Sequence, residues 1–316
     1  MSLRKYVIKR TLVMIPVLFG VSVITFSLIQ LLPGNVVDYV LQFQEASPEL
    51  RAELEAQYHL DEPIWVQYML WLRDALVLDF GTSPISQQPV AEIIIARIPF
   101  TFALGVFAWL IAAGIGIPAG IVAAVKSGEL ADETSRIGAL LGIAMPNFWL
   151  GLILILIFAV ELGWFRVIPP SEPPILSLPM IKFMILPAIA LGTAQAALLM
   201  RLMRSSMVEE LNKDYIRTAR AKGLKERTVI LKHALRNSLI AVVTVAALQI
   251  AFIVDGAVVI EQVFSWPGVG RLLIQKIIAR DLPVLQTIVL MIASMIVFAN
   301  LAADIIYAWL DPRIRY

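Results

Sequence analysis

Ten of the chain's 26 lysines and arginines lie between Arg201 and Arg236. Within that stretch Ile216, Ala219 and Gly223 recur at helical spacing, with Arg217, Arg220 and Lys222 beside them. Ala219 and Gly223 carry almost no side chain, so a partner's backbone can come close there while the flanking cations set its orientation. A basic helix lying on an anionic membrane leaflet is the competing reading of the same residues. Asn212 or Asp214 is expected to cap the helix. The acid Asp214 suits its positive N-terminal pole. Gly223-Leu224 is expected to end it, and Val229 to Leu235 to form a second apolar-striped helix.

Other ionisable residues stand in or at the edge of apolar runs, where charge is costly and normally faces a polar interior. Asp255, in Ile-Val-Asp-Gly-Ala, and Glu261 are candidates for lining a path that favours cationic groups. The alternative for Asp255 is a structural carboxylate bonded to a neighbouring helix. Asp304 is expected to be structural. Both histidines, His59 and His233, lie outside the apolar runs, and there is no cysteine. No His-Glu-x-x-His metal pair, no nucleophile with a base partner and no phosphate-cradling Gly-Lys loop can be assembled. The chain is therefore expected to be non-catalytic, to bind no metal or cofactor itself, and to draw any driving energy from another polypeptide.

The elements that position these residues are apolar. Hydrophobic residues make up 59% of the 316 and charged residues 16%, with a mean hydropathy of +0.82, which marks an integral membrane protein. The net charge of +2 gives no field for nucleic acid. Six apolar runs are long enough to cross a bilayer as helices: Thr11–Leu32, Phe100–Val125, Ile137–Leu162, Phe183–Met200, Ser238–Ile260 and Val284–Leu310. The first, behind Arg4, Lys5, Lys9 and Arg10, is read as a retained signal anchor. Pro16, Pro118, Pro146 and Pro187 predict kinks. Gly116 with Gly120, and Gly138 with Gly142, predict close helix contacts.

Eighteen of the 26 bases fall in the N-terminal tail, 126–136, 201–237 and 311–316, and eight in 33–98, 161–183 and 261–283. The positive-inside rule then places both termini in the cytoplasm of a cell membrane. The chain divides into 1–32 (tail and first span), an external segment 33–98, a five-span core 99–310 holding the cytoplasmic loop 201–237, and the tail 311–316. The external segment carries ten acids against three bases. Ser47-Pro48-Glu49 reads as a helix start. Ile64, Trp65, Tyr68, Met69, Leu72 and Leu76 recur at helical spacing, with Trp65, Tyr68 and Trp71 suited to headgroup depth. A lid packed on the spans and a receiving surface for a substrate or partner are the two readings.

Several segments together resemble the permease subunits of ATP-binding-cassette importers, in the dipeptide/oligopeptide/nickel family. Asp214-Tyr-Ile-Arg-Thr-Ala-Arg-Ala-Lys-Gly-Leu224 with His233-Ala-Leu-Arg-Asn237 looks like the family's Glu-Ala-Ala-x3-Gly loop. Tyr58 to Tyr68 with Asp79-Phe-Gly-Thr-Ser83 resembles the external segment of the first permease of a pair. Phe264-Ser-Trp-Pro-Gly-Val-Gly-Arg271 and the tail Asp311 to Tyr316 match family endings. The resemblance implies an all-α fold of six transmembrane helices, of the type I importer kind. It implies a coupling helix at about Asn212–Glu226, on which Asp214, Tyr215, Arg217, Thr218, Ala219, Arg220, Lys222, Gly223 and Leu224 meet a cytoplasmic ATPase. Implied partners are a second permease, two ATPases carrying the ATP and magnesium, and an external substrate-binding protein, near which Trp266, Pro267 and Gly268 are expected to lie. Peptide is the implied cargo, with nickel chelates, glutathione-like molecules or oligosaccharides as alternatives. An ion-coupled carrier or channel is the distant alternative. Arg217 stands where the general pattern has glutamate, and Arg236 where proline is common.

Overall fold

The computed structural model describes residues 3–31, 36–41, 47–57, 59–170, 174–249 and 253–310. Among them the regular secondary structure is helical, with one isolated bridge between Thr82 and Pro89. The first helix, α1 (Leu3–Gln30), is followed by four short ones, α2 (Val36–Leu41), α3 (Pro48–Gln57), α4 (Ile64–Leu76) and α5 (Val90–Ile95). The long α6 (Ile98–Val125) and α7 (Leu130–Ala144) come next, then α8 (Asn147–Leu154), which runs on as a π-helix over Ile155–Glu161. The central α9 (Leu178–Leu211) leads to the short α10 (Asp214–Ala221) and α11 (Glu226–Thr228). A π-helical stretch, Val229–Ala234, joins α11 to α12 (Leu235–Gln249), and α13 (Ile253–Val263), α14 (Val269–Ala279) and α15 (Leu282–Leu310) complete the chain.

Proline sets several boundaries. Pro99, Pro179 and Pro283 each sit in the first turn of a long helix, α6, α9 and α15, where the missing N–H has no partner to lose. Pro146 does the opposite. It drives Met145 into an extended conformation (φ −80°, ψ 123°) and α8 leaves α7 at 103°. The predicted kink is thus a full break in the third apolar run. The helices continue through Pro16, Pro118 and Pro187.

Four helical stretches are long and apolar enough to cross a membrane, or five if the bent pair α7–α8 is one span. The fifth predicted run, Ser238–Ile260, is carried by α12 and α13 on either side of 250–252, which lie outside the described residues. Of the long helices, α9 is the hub: 67% of its apolar window is buried, against 17–28% for the other long spans. Its small residues let α6 close on it. A Cβ on Gly120 would lie 2.6 Å from the Met200 carbonyl oxygen, and one on Gly192 the same distance from the Ala108 carbonyl oxygen. Gly116 abuts the Ala196 carbonyl in the same way, so the predicted contact of Gly116 and Gly120 is made within one chain. Gly142 touches Thr193 and Ala197, whereas Gly138 faces open space. Leu12, Ile15, Phe19 and Ile24 of α1, like Phe102, Leu110 and Ile115 of α6, stay exposed and need lipid or another subunit to cover them.

The segment carrying α4 packs as a lid on the first span. Ser47 Oγ accepts from Leu50 N at 3.1 Å, the expected cap. Helix α4 lies against α1 through Tyr68, whose hydroxyl meets Ser22 Oγ at 2.8 Å. Its ring, and that of Trp71, pack on Phe26 with centroids 5.4 and 5.7 Å apart. At the far end of the fold, Asp304 of α15 pairs with Arg10 of α1 at 3.1 Å, which gives that carboxylate the structural role expected.

Candidate functional site

The basic loop is built on the protruding end of α9. A helix of 34 residues is about 51 Å long, well beyond a bilayer's hydrocarbon core of about 30 Å. The excess is the charged turn after Met200. There Asn212, expected as a cap, instead ends α9 by donating to the Val208 carbonyl at 2.9 Å, and Lys213 is the residue that precedes α10. Asp214 sits in the first turn as expected. Lys213 bonds Glu210, which raises its hold on its proton.

Ile216 and Ala219 of the stripe face inward, which corrects the expectation that Ala219 meets a partner, while Gly223 stays on the surface. Ile216 is fully buried and Ala219 nearly so, both packed in one cluster with Met203 and Met207 of α9, Val229 and Ala234. An amphipathic stripe has one apolar side, and here the chain's own core takes it. Gly223 stays exposed at φ +74°, a left-handed conformation that ends the helix. The open face of α10 comprises Asp214, Tyr215, Arg217 and Thr218, continuing through Arg220, Lys222 and Leu224. Arg217 approaches Asp214 at 3.4 Å, and Thr218 Oγ1 donates to the Asp214 carbonyl. Arg220 grips Glu226 at 2.7 Å, and those hydrogen bonds hold the Glu226 carboxyl below the usual range. Lys222, Lys225 and Arg227 have no ion-pair partner among the described residues.

Tyr215 ties three helices together. Its hydroxyl donates to Glu210 of α9 and accepts from Asn237 Nδ2 of α12 at 3.0 Å. Burial and the Glu210 carboxylate both push the phenol pKa up, so it keeps its proton. Tyr215 thereby joins α10 to both α9 and α12. Sequence reasoning named Tyr215 but not Glu210 as its partner, because Glu210 reads only as one more charge at a helix end.

At the opposite end, the turn expected as an external contact is interior. Trp266 is fully buried, stacks on Phe183 at 5.9 Å and donates its indole N–H to the Phe100 carbonyl at 2.9 Å. Gly268 is buried too, and Pro267 is half-buried with its carbonyl accepting from Arg97. Glu261 holds this turn. It is fully buried, accepts from Thr101 Oγ1 at 2.6 Å and from Arg271 N at 3.0 Å, and Thr101 in turn accepts from Val269 N at 2.8 Å. Gly268 lies directly on the carboxylate, where any Cβ would collide, and a Cβ on Gly270 would run into Val258 beside it. Glu261 therefore organises the core rather than lining an open path. Asp255 falls in α13, and its side chain lies outside the described residues.

Two further features flank this end. Asp281, fully buried, accepts from Ser83 Oγ and from Lys276 Nζ, both at 2.6 Å, and pins the stretch before α5 to the α14–α15 turn. Beside it a cleft of about 490 Å³ is bounded by Phe26, Trp71, Asp74, Asp79, Phe80 and Gln286. It is the acidic, aromatic mouth of the lid. Among the described residues no group of histidines and acids could hold a metal ion.

Residues 116–316 match the family described as "Binding-protein-dependent transport system inner membrane component", and residues 3–105 match its N-terminal counterpart. The chain belongs to this family. It is a multi-pass membrane permease subunit, and the resemblance carried by the basic loop and the external segment is borne out. The permease is 43% identical to the dipeptide transport system permease protein DppB of Alkalihalophilus pseudofirmus, over 98% of this chain and 99% of that one. It is 40% identical to the oligopeptide transport system permease protein AppB of Bacillus subtilis, with the same coverage. It is 41% identical to the glutathione transport system permease protein GsiC of Escherichia coli, again over 98% and 99%.

Proposed function

We propose that this permease forms one half of the translocation path of an ATP-driven importer of short peptides, in a cell membrane, with six spans and both termini cytoplasmic. The observation that carries the cargo is full-length similarity at 40–43% to permeases of dipeptide and oligopeptide systems. The orientation is supported by the bias of basic residues and by the Arg10–Asp304 pair, which joins the start of the first span to the end of the last. The sixth crossing is α12 with α13. For Asp255 the proposed role is selection of cargo with a cationic amino terminus.

The motor is separate. Two cytoplasmic ATPases, holding ATP and magnesium, dock on the exposed face of α10, one here and one on a second permease. Lys222, Lys225 and Arg227 suit an acidic groove, and Arg217 replaces the contact that a glutamate makes elsewhere in the family. ATP-driven approach of the ATPases moves α10, and Tyr215 carries that motion to α9 and α12, which alternates access to the path. A substrate-binding protein delivers peptide at the end bearing the acidic cleft. The similarity to a glutathione permease supports a second reading in which the cargo is that one small thiol peptide.

The test is ATP-dependent accumulation of labelled di- to pentapeptides by vesicles holding the permease with its sister subunit, ATPases and binding protein. Accumulation that unlabelled peptide competes for, and glutathione does not, is expected. Competition by glutathione alone would select the second reading, and no ATP-dependent uptake of either would overturn both.

A further inference from the structure

Transport as proposed makes no use of a cavity of about 520 Å³ between α7 and the end of α9. Leu140, Leu198 and Leu202 line it, and Arg136, Arg201 and Arg204 surround it. Leu140 and Leu198 are 62% and 41% exposed, so the walls offer apolar surface that nothing in the chain covers. The three guanidinium groups are not equivalent. Arg204 is committed to the buried Asp132, which it grips through two hydrogen bonds of 2.6 and 2.7 Å. Arg136 stands 3.5 Å from Glu133, both more than half exposed, a weak surface pair. Arg201 has no ion-pair partner among the described residues. Like charges gathered on one cavity repel unless an anion sits among them.

Depth fixes the kind of anion. Arg201 is the first charged residue after the apolar run Phe183–Met200, so the cationic rim lies where hydrocarbon gives way to headgroups, with Leu140 and Leu198 on its hydrocarbon side and Leu202 level with the rim. The site therefore asks for a molecule with a negative phosphate at one end and an apolar chain at the other. Arginine forks suit phosphate oxygens. We propose that this cavity holds an anionic phospholipid, with the headgroup phosphate between Arg136 and Arg201 and one acyl chain along Leu140, Leu198 and Leu202. A soluble phosphate offers the same headgroup chemistry but leaves the leucines uncovered. A protein partner would have to bring an acid and an apolar face together at that depth. The cavity takes in no residue of α10 and is independent of the cargo, so its failure and the failure of the importer reading are distinguishable.

The permease, in its assembled complex, is exchanged into nanodiscs of equal parts phosphatidylglycerol and phosphatidylcholine. After detergent extraction the lipid retained is counted by mass spectrometry. Phosphatidylglycerol is expected to be retained in excess, and Arg136→Gln and Arg201→Gln each to lower that excess roughly fivefold. Thermal unfolding of the unaltered complex in the two lipids separately gives a second reading that needs no variant, with the higher midpoint expected in phosphatidylglycerol. Equal retention of both lipids, or an excess unchanged in both variants, overturns the proposal. So does displacement by millimolar inorganic phosphate, which marks a small-anion site. Because the chain has no cysteine, Leu198→Cys provides a single probe, and its cross-linking to the sister subunit would show a protein covering the cavity and likewise overturn the lipid assignment.

Discussion

Glu261 and Tyr215 act in opposite ways although both are hydrogen-bonded across elements. Glu261 is locked: its carboxylate answers buried donors from Thr101 and the 268–271 turn. Glu261→Ala strands those donors at about 1–3 kcal/mol each, so the purified assembly should lose several degrees of thermal midpoint, with Glu261→Gln losing less because one acceptor oxygen remains. Unchanged unfolding of Glu261→Ala would remove the organising role. Tyr215 is a linkage instead. Tyr215→Phe keeps the ring and drops the bonds to Glu210 and Asn237, so the chain should insert and assemble normally. Its ATP hydrolysed per peptide imported should rise several-fold, measured on the same vesicles. A loss of assembly would instead mark Tyr215 as merely structural.

At the scale of elements, the fit of α6 on α9 is a matter of glycine. Gly120→Ala puts a methyl 2.6 Å from the Met200 carbonyl oxygen and from Met203 Cβ, so backbone must shift, at about 1–3 kcal/mol. Gly138→Ala meets open space in the middle of α7 and should stabilise by about 0.5–1 kcal/mol. Thermal unfolding of the two variants should therefore move in opposite directions. The same contrast shows what the sequence can and cannot say. The helices α1, α6, α9 and α15 fall on the expected apolar runs, the Ser47 cap forms, and Pro146 breaks its run, because these depend on local composition. The two glycine pairs look alike in sequence and differ in the fold, since only packing decides which faces a neighbour. Ile216 and Ala219 form a stripe that suits a partner as well as a core, and the core has it. Trp266 and Glu261 read as a surface turn and a path residue because their partners, Phe183, Phe100 and Thr101, are distant in sequence.

The whole molecule divides its surfaces between two ends. One end carries a lid, an acidic cleft and the Ser83–Asp281–Lys276 latch, and the other an exposed cationic helix on an overlong span. Ser83→Ala should loosen the latch without unfolding the core, seen as faster amide exchange confined to residues 79–95. The central claim is that the outward face of α10 takes up the motion of the ATPases. Its most direct measurement is ATP-dependent peptide uptake by the reconstituted assembly carrying Lys222→Glu with Lys225→Glu, two exposed positions beside α10 that carry no ion pair among the described residues. Uptake should fall at least tenfold while the permease still inserts and pairs with its sister subunit. Uptake at the unaltered rate would contradict the account.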